Sequence, residues 1–277
     1  MYRAAAATLS PAPEPGLRTL PLRLAMAVRQ EFGPGEHGID VPDLHRYFTD
    51  LTRGHDVGYR NERMAEVRGN TFISMARDVL TGRLSGERID LAIVAHAAPE
   101  FDPRLSAPVN LTAVLPGEPL VFSVSGHGVL AAFSALRVAA GYMRRHGYER
   151  VLVLVMDQGS TPYDTPARTR DAATALLFER DGGPSVQVGT VSAMAPADVP
   201  AALAALVRAA PMPDTVVTGS GLAGTDHWPT AVSAPDGYPC TGLWAPLADG
   251  TVSAPVLLAD HDPRHRELGV CVLTGSS

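Results

Sequence analysis

The chain has 277 residues, 45% of them hydrophobic and 19% charged, with a formal net charge of −6. That much apolar material fills the core of one large domain or two closely joined halves, and it excludes a disordered, charge-solvated chain. There is no lysine, and the arginines form no basic run, which argues against a nucleic-acid groove built on clustered cations.

The first stretch, MYRAAAATLSPAPEPG, lacks a long apolar segment and is interrupted by Pro11, Pro13 and Pro15, so it does not read as a secretion signal. Apolar runs elsewhere are of strand length and too short to cross a membrane. A cytoplasmic protein without membrane or nucleic-acid partners is expected. Two cysteines, Cys240 and Cys271, are too few for a disulfide framework and read as buried thiols.

Residues 1–10 predict a short strand. Leu20–Phe32 carries apolar positions at helical spacing and stops at Gly33-Pro34-Gly35. Val41–Leu51 predicts a helix, with Asp40 as N-cap and Pro42 in its first turn. Asn70–Leu84 predicts another, its stripe formed by Phe72, Ile73, Met75, Ala76, Val79 and Leu80. The pattern then changes. Ile89–Ala95, Pro119–Val124 and Val151–Met156 are continuous apolar runs, as expected of strands covered on both faces. Between the last two, Val129–Met143 predicts a long helix with alanines on one side. Thr174–Glu179 and Ser185–Ser192 predict two more strands.

The last third repeats the scheme on a smaller scale. It has a helix at Val199–Ala210, a strand at Asp214–Thr218, a short helix at Thr241–Ala248, and strands at Val252–Ala259 and Leu268–Leu273 around a polar hairpin, Asp260–Glu267. Strands alternating with helices imply an α/β protein with a mostly parallel sheet covered on both faces. The element order suggests two pseudo-duplicated halves, residues 1–192 and a shortened 193–277, forming one compact unit.

Four segments in order, IDLAIVAHAAPEFDP, FSVSGHGVLAAFSALRVAAGYM, YERVLVLVMDQGS and RDAATALLFERDGG, resemble the ketosynthase III branch of the thiolase superfamily. They cover about a third of the chain, and GYPCTGLWAPLADG is weakly similar to a later family segment. The resemblance implies a five-layer αβαβα fold and a dimer through the third buried strand. It also implies thioester partners, either acyl-CoA or an acyl carrier protein, and no cofactor or metal.

The departures are as informative. The family's nucleophilic cysteine stands at the start of the long central helix, where unpaired N–H groups and the helix dipole favour a thiolate. Aligned on Phe122, that position is Gly128; aligned on Ala135-Leu136, it is Val129. No histidine follows Asp214–Thr218, and the family's asparagine falls near Pro239 or Cys240. A helix between Gly221 and Tyr238 is also expected to be missing.

Other residues offer chemistry. Ser125 and His127 at the elbow read either as a nucleophile–base pair or as an N-cap and a glycine-rich turn. Cys240 reads as a displaced nucleophile or an inert thiol, and His227 as a substitute histidine or a loop residue. His96, at the end of the first buried strand, reads as a pocket residue or an ordinary buried histidine. Asp157-Gln158 reads as hydrogen bonding at a dimer seam. Gly219–Gly224 matches a dinucleotide fingerprint, but Pro229 and Pro235 break the helix that should follow, so it reads as a loop. Asp260, His261, Asp262 and His265 have metal-ligand spacing but read as solvated turn residues.

Two functional readings stand. One is a pseudo-ketosynthase subunit of polyketide or fatty-acid-like specialised metabolism, a homodimer or a heterodimer with a cysteine-bearing ketosynthase. The other is an acyltransferase or condensing enzyme using His127 with Ser125 or Cys240.

Overall fold

The computed structural model of the protein describes residues 16–53, 58–59, 61–84, 86, 88–163, 169–208, 213, 215–222 and 231–275. The strand expected over residues 1–10 lies outside them. The first described element corrects the sequence reading: β1 (Arg18–Glu31) is a 14-residue strand where helical spacing predicts a helix. Leu20, Leu22 and Leu24 alternate inward, and the run LPLRLAMAV satisfies both periods. Long-range pairing decides between them, because β1 has a partner on each edge. Pro21 sits where its register with one partner shifts, a position that tolerates a missing N–H.

Next come β2 (His37–Gly38), α1 (Pro42–Arg53), β3 (Arg68–Gly69) and α2 (Phe72–Leu80). The short ribbon β2–β3 stands apart from the main sheet. Leu44 and Phe48 of α1 pack on Ile39, Met64 and Phe101 in a small separate core. Asp40, expected to cap α1, lies 2.8 Å from the His45 imidazole through its Oδ1. Helix α2 buries the predicted stripe, and its cap is Thr71, whose Oγ1 accepts the Ser74 N–H at 3.1 Å.

The rest of the first half is β4 (Leu91–His96), α3 (Ala107–Thr112), β5 (Leu120–Val124), α4 (Ala131–His146), β6 (Arg150–Asp157) and β7 (Ala172–Glu179). Then follow β8 (Ser185–Val191), α5 (Val199–Arg208), β9 (Thr215–Thr218), β10 (Val232–Ser233), α6 (Ala245–Ala248), β11 (Val256–Asp262) and β12 (Glu267–Thr274). One 10-stranded sheet runs β10-β9-β11-β12-β8-β1-β7-β6-β4-β5.

That order contains the same group of strands twice. In the first, β5, β4 and β6 are parallel, and β7 and β1 follow antiparallel. In the second, β10, β9 and β11 are parallel, and β12 and β8 follow antiparallel. By strand order β8 opens the second group, and the β1–β8 pairing joins the two. Helix α6, with 4 residues, stands where the first group has the 16-residue α4, so the second half is abbreviated at its central helix. Residues 223–230, where a further helix was expected to be missing, lie outside the described residues.

Alternate residues of each strand face opposite layers. Leu91, Ile93 and Ala95 of β4, with Val151, Val153 and Val155 of β6, pack on α4 in the central core. Ala92 and Val94 face α2 and α3 instead. Leu257, Leu268, Val270 and Val272 face α5. The layers are therefore helix, sheet, helix, sheet, helix. No helix among the described residues is long and apolar enough to cross a membrane.

The third buried strand cannot be a dimer seam as the resemblance implies. It is β6, hydrogen-bonded on one edge to β4 and on the other to β7. The sheet ends in β10 on one side and β5 on the other, and β5 is half-exposed rather than buried on both faces, with Leu120 42% exposed. Leu22→Ala removes a fully buried side chain of β1 and is expected to cost about 2–5 kcal/mol. Leu120→Ala should change stability by less than about 0.5 kcal/mol. Urea unfolding of both variants checks the contrast.

Candidate functional site

The site is built where β5 turns into α4. Gly126 (φ 77°) and Gly128 (φ 51°) adopt left-handed backbone, which lets the chain reverse within four residues. The His127 carbonyl accepts the Leu130 N–H at 3.0 Å and starts a short 3₁₀ turn, Gly128–Leu130, that leads into α4. Ser125, Gly126 and His127 are exposed. Ser125 caps neither the 3₁₀ turn nor α4; the residues at those positions are His127 and Leu130.

The Asp262 carboxylate occupies the space beside Gly128. A β-carbon on residue 128 would overlap it and would lie 2.9 Å from Nδ1 of His265. Oδ2 of Asp262 accepts the Val129 N–H at 3.2 Å and sits 3.0 Å from His265 Nδ1. Oδ1 accepts the N–H groups of Arg264 and His265 at 2.9 Å each. Burial alone would push this carboxyl up, but the backbone donors and His265 outweigh it and hold it below its ordinary value. The expectation of solvated turn residues is corrected here. Asp260, His261 and Asp262 are the buried end of β11, and only Pro263–Arg266 form the turn.

Asp260 fills the second glycine-lined space. A β-carbon on Gly219, just after β9, would overlap its carboxyl. Its Oδ1 accepts the N–H groups of Gly221 at 2.9 Å and His261 at 2.8 Å, and Oδ2 has no partner among the described residues. Burial pushes Asp260 up to about 7, with Asp262 adding to the rise. Gly219–Leu222 closes on this carboxyl as a 3₁₀ turn, not as the start of a dinucleotide-binding helix.

Cys240 is fully inside, its Sγ 3.8 Å from the Gly128 carbonyl. The Cys240 N–H donates to both oxygens of Asp157, at 3.0 and 3.1 Å; the Thr241 N–H and hydroxyl each donate to Oδ2 at 2.7 Å. Burial, reinforced by Asp157, pushes the Cys240 thiol well above its usual range, opposite to what a nucleophilic thiolate requires. Asp157 itself is pushed up to about 6 by burial. Its bonds, like those of Gln158 to Asn70, Glu100 and Phe101, lie within the chain rather than at a seam. Cys271 lies in the core, its thiol pushed up to about 12 by burial.

The structure thus brings Cys240 to the elbow beside the Gly128 carbonyl, while Ser125 and His127 sit outside on its surface. No hydrogen bond joins Ser125 to His127 among the described residues, and His227 lies outside those residues. Sequence reasoning missed Asp262 and Asp260 as members of the site. The available signal was the pair of glycines, Gly128 and Gly219, standing where bulkier residues were expected. Among the described residues no three His, Cys, Asp or Glu side chains converge as a metal site.

Solved structures share the overall fold. ChlB3, an acyltransferase, superposes with a TM-score of 0.62 at 14% identity over 92% of this chain and 98% of its own. The fold is that of the thiolase-like ketosynthases. A 3-oxoacyl-(acyl-carrier protein) synthase from Burkholderia xenovorans LB400 matches with a TM-score of 0.59 at 13% identity, covering 94% of this chain and 96% of that one. A variant of OleA from Xanthomonas campestris matches at 0.58 and 13%, covering 91% and 98%. No family model and no curated protein matches the sequence.

Two predictions follow from the packed glycines and carboxylates. Gly128→Ala should destabilise by about 2 kcal/mol or more, through overlap and left-handed strain together. In an Asp262→Ala background the overlap part of that cost should vanish, so the double variant should be less destabilised than the sum of the two singles in a double-mutant cycle read by urea unfolding. The second concerns pH. A carboxyl with a raised folded pKa favours folding while protonated and loses that contribution as pH climbs from its unfolded to its folded value. Asp260, at about 7 when folded, therefore lowers stability as pH rises from about 4 to about 7, and Asp157 acts in the same direction. Asp260→Asn should flatten that decline in thermal melts run across this range; an unchanged slope would discount the buried carboxyl.

Proposed function

We propose that this chain is a ketosynthase-like protein that works beside acyl-thioester chemistry without performing it, as a non-catalytic subunit. The observation carrying this reading is the Asp262 carboxylate seated in the space beside Gly128 and bonded to Val129 N–H. In a thiolase-like condensing enzyme that space holds the nucleophile, and nearby N–H groups stabilise developing negative charge. Here a resident anion already accepts one of them, the Val129 N–H. A thioester carbonyl arriving at the elbow would meet a carboxylate at the helix start, not an empty cradle.

Three further observations agree. Gly219 stands where the resemblance places the family's histidine, with the Asp260 carboxyl packed on it. Cys240 stands at or beside the asparagine position, its thiol held protonated by burial and Asp157. The open edge of β5 offers a strand to a second chain, either another copy or a cysteine-bearing ketosynthase. One solved neighbour is named an acyltransferase and another a 3-oxoacyl-(acyl-carrier protein) synthase, so the setting we assign is polyketide or fatty-acid-like biosynthesis. Acyl-CoA and acyl-carrier thioesters are the ligands of the assembly.

The test is intact-protein mass spectrometry after incubation with acyl-CoA and acyl-carrier thioesters of varied chain length. The expected result is the unmodified mass throughout, with retention of a ketosynthase on the immobilised chain when the two are co-expressed. A stable acyl adduct mapped to Ser125, His127 or Cys240 would overturn the reading in favour of an acyltransferase.

A further inference from the structure

A cavity of about 500 Å³ opens in the first half between α1, α3 and the open strand β5. Its walls carry Tyr47, Phe48, Phe72, Phe101, Phe122 and Tyr163. Phe48, Phe72 and Phe101 are nearly fully buried, so their rings form fixed walls rather than a mobile surface. The floor is the carboxyl end of β4, where His96 sits with its ring 5.0 Å from that of Phe72.

The loop forming one side is held firmly. Glu100 Oε2 accepts the Phe72 N–H at 2.6 Å, and its Oε1 accepts from Gln158 at 3.0 Å. The Phe101 N–H donates to Gln158 Oε1 at 2.7 Å. Asp102, buried behind the loop, pairs with Arg104 and His37 at 2.7 Å each. The carboxylates of the loop are therefore committed to building the wall.

His96 is the exception. Its Nδ1 lies 2.7 Å from the Ala98 carbonyl, which only accepts, so Nδ1 carries the proton. Burial pushes the imidazole below its ordinary value and keeps it neutral. In that tautomer Nε2 is an acceptor. It has no protein partner among the described residues and is not sealed from solvent, so it opens on the cavity.

We propose that this cavity is a binding site for a small, uncharged aromatic molecule bearing a hydroxyl or N–H donor, with Nε2 of His96 as its acceptor. The volume suits a small ligand, and aromatic walls with one or two placed polar groups are the usual composition of such sites. The charge requirement follows from the lining. No arginine is among the described residues on the walls, so a carboxylate or phosphate would be buried there without a counter-charge. The inference does not rest on the elbow chemistry; it shares β5 with the edge proposed for a second chain, and the titration reads ligand binding to this chain by itself.

The experiment is a calorimetric titration of the full chain with naphthol, methoxynaphthalene and naphthoate. Naphthol should bind saturably, one molecule per chain. Methoxynaphthalene, the same shape without the donor, should bind about tenfold more weakly, as should the anionic naphthoate. His96→Phe should remove the preference for naphthol over its methyl ether. Ser123→Trp, at an exposed rim position on β5, should abolish binding of all three without touching the core. Three results would overturn the proposal: no saturable naphthol binding, equal affinity for naphthol and its ether, or naphthol binding unchanged in Ser123→Trp.

Discussion

The carboxylate of Asp262, accepting the Val129 N–H in the turn that leads into the central helix, is the interaction around which the site is arranged. A helix start presents unpaired N–H groups and partial positive charge, and something must satisfy them. Here the satisfying group comes from within, at the end of β11, 133 residues away from its Val129 partner. Seating it requires Gly128, because any β-carbon there would collide with the carboxylate. It also fixes the β11–β12 turn, since the same side chain accepts the N–H groups of Arg264 and His265. The turn, the elbow and the helix are thereby one unit.

Three buried aspartates lie close together and titrate differently. Asp262 has three backbone donors and a histidine beside it, and it is held low. Asp157 has several donors but no cation, and burial still pushes it up to about 6. Asp260 has two amides and, among the described residues, one unpartnered oxygen, and it reaches about 7. The ordering follows the donors available to offset desolvation. It also keeps the Cys240 thiol protonated, because a thiolate beside Asp157 would add like charge to an already buried site. Chemistry at the elbow would have to overcome both packing and electrostatics, whereas the cavity at His96 is open and carries an uncommitted acceptor.

Much of the fold is legible in the sequence because two-sided burial leaves a plain signature. Strands β4, β6, β7 and β12 are apolar at nearly every position, and both faces are covered. Helix α2 is legible from its stripe and α4 from its alanines. Strand β1 is not, because its leucines and alanines fit both periods and only partners on each edge, β7 and β8, select the extended form. The β11–β12 hairpin reads as polar and solvated for a related reason. Asp260, His261 and Asp262 look like turn residues until α4 and the Gly219–Leu222 turn are placed over them.

What the sequence determines alone is composition and pattern: an α/β chain of continuous apolar strands and amphipathic helices, with glycines at positions 126, 128 and 219. Tertiary structure decides which side chains converge. It brings Asp262 to Gly128, Asp260 to Gly219 and Cys240 to Asp157, while leaving Ser125 and His127 on the surface. It also turns His96 from an unremarkable strand-end residue into the acceptor of an aromatic cavity. The physical reason is range. Periodicity and turn chemistry act over a few residues, but a carboxylate is placed by whichever distant backbone donors the sheet order delivers to it.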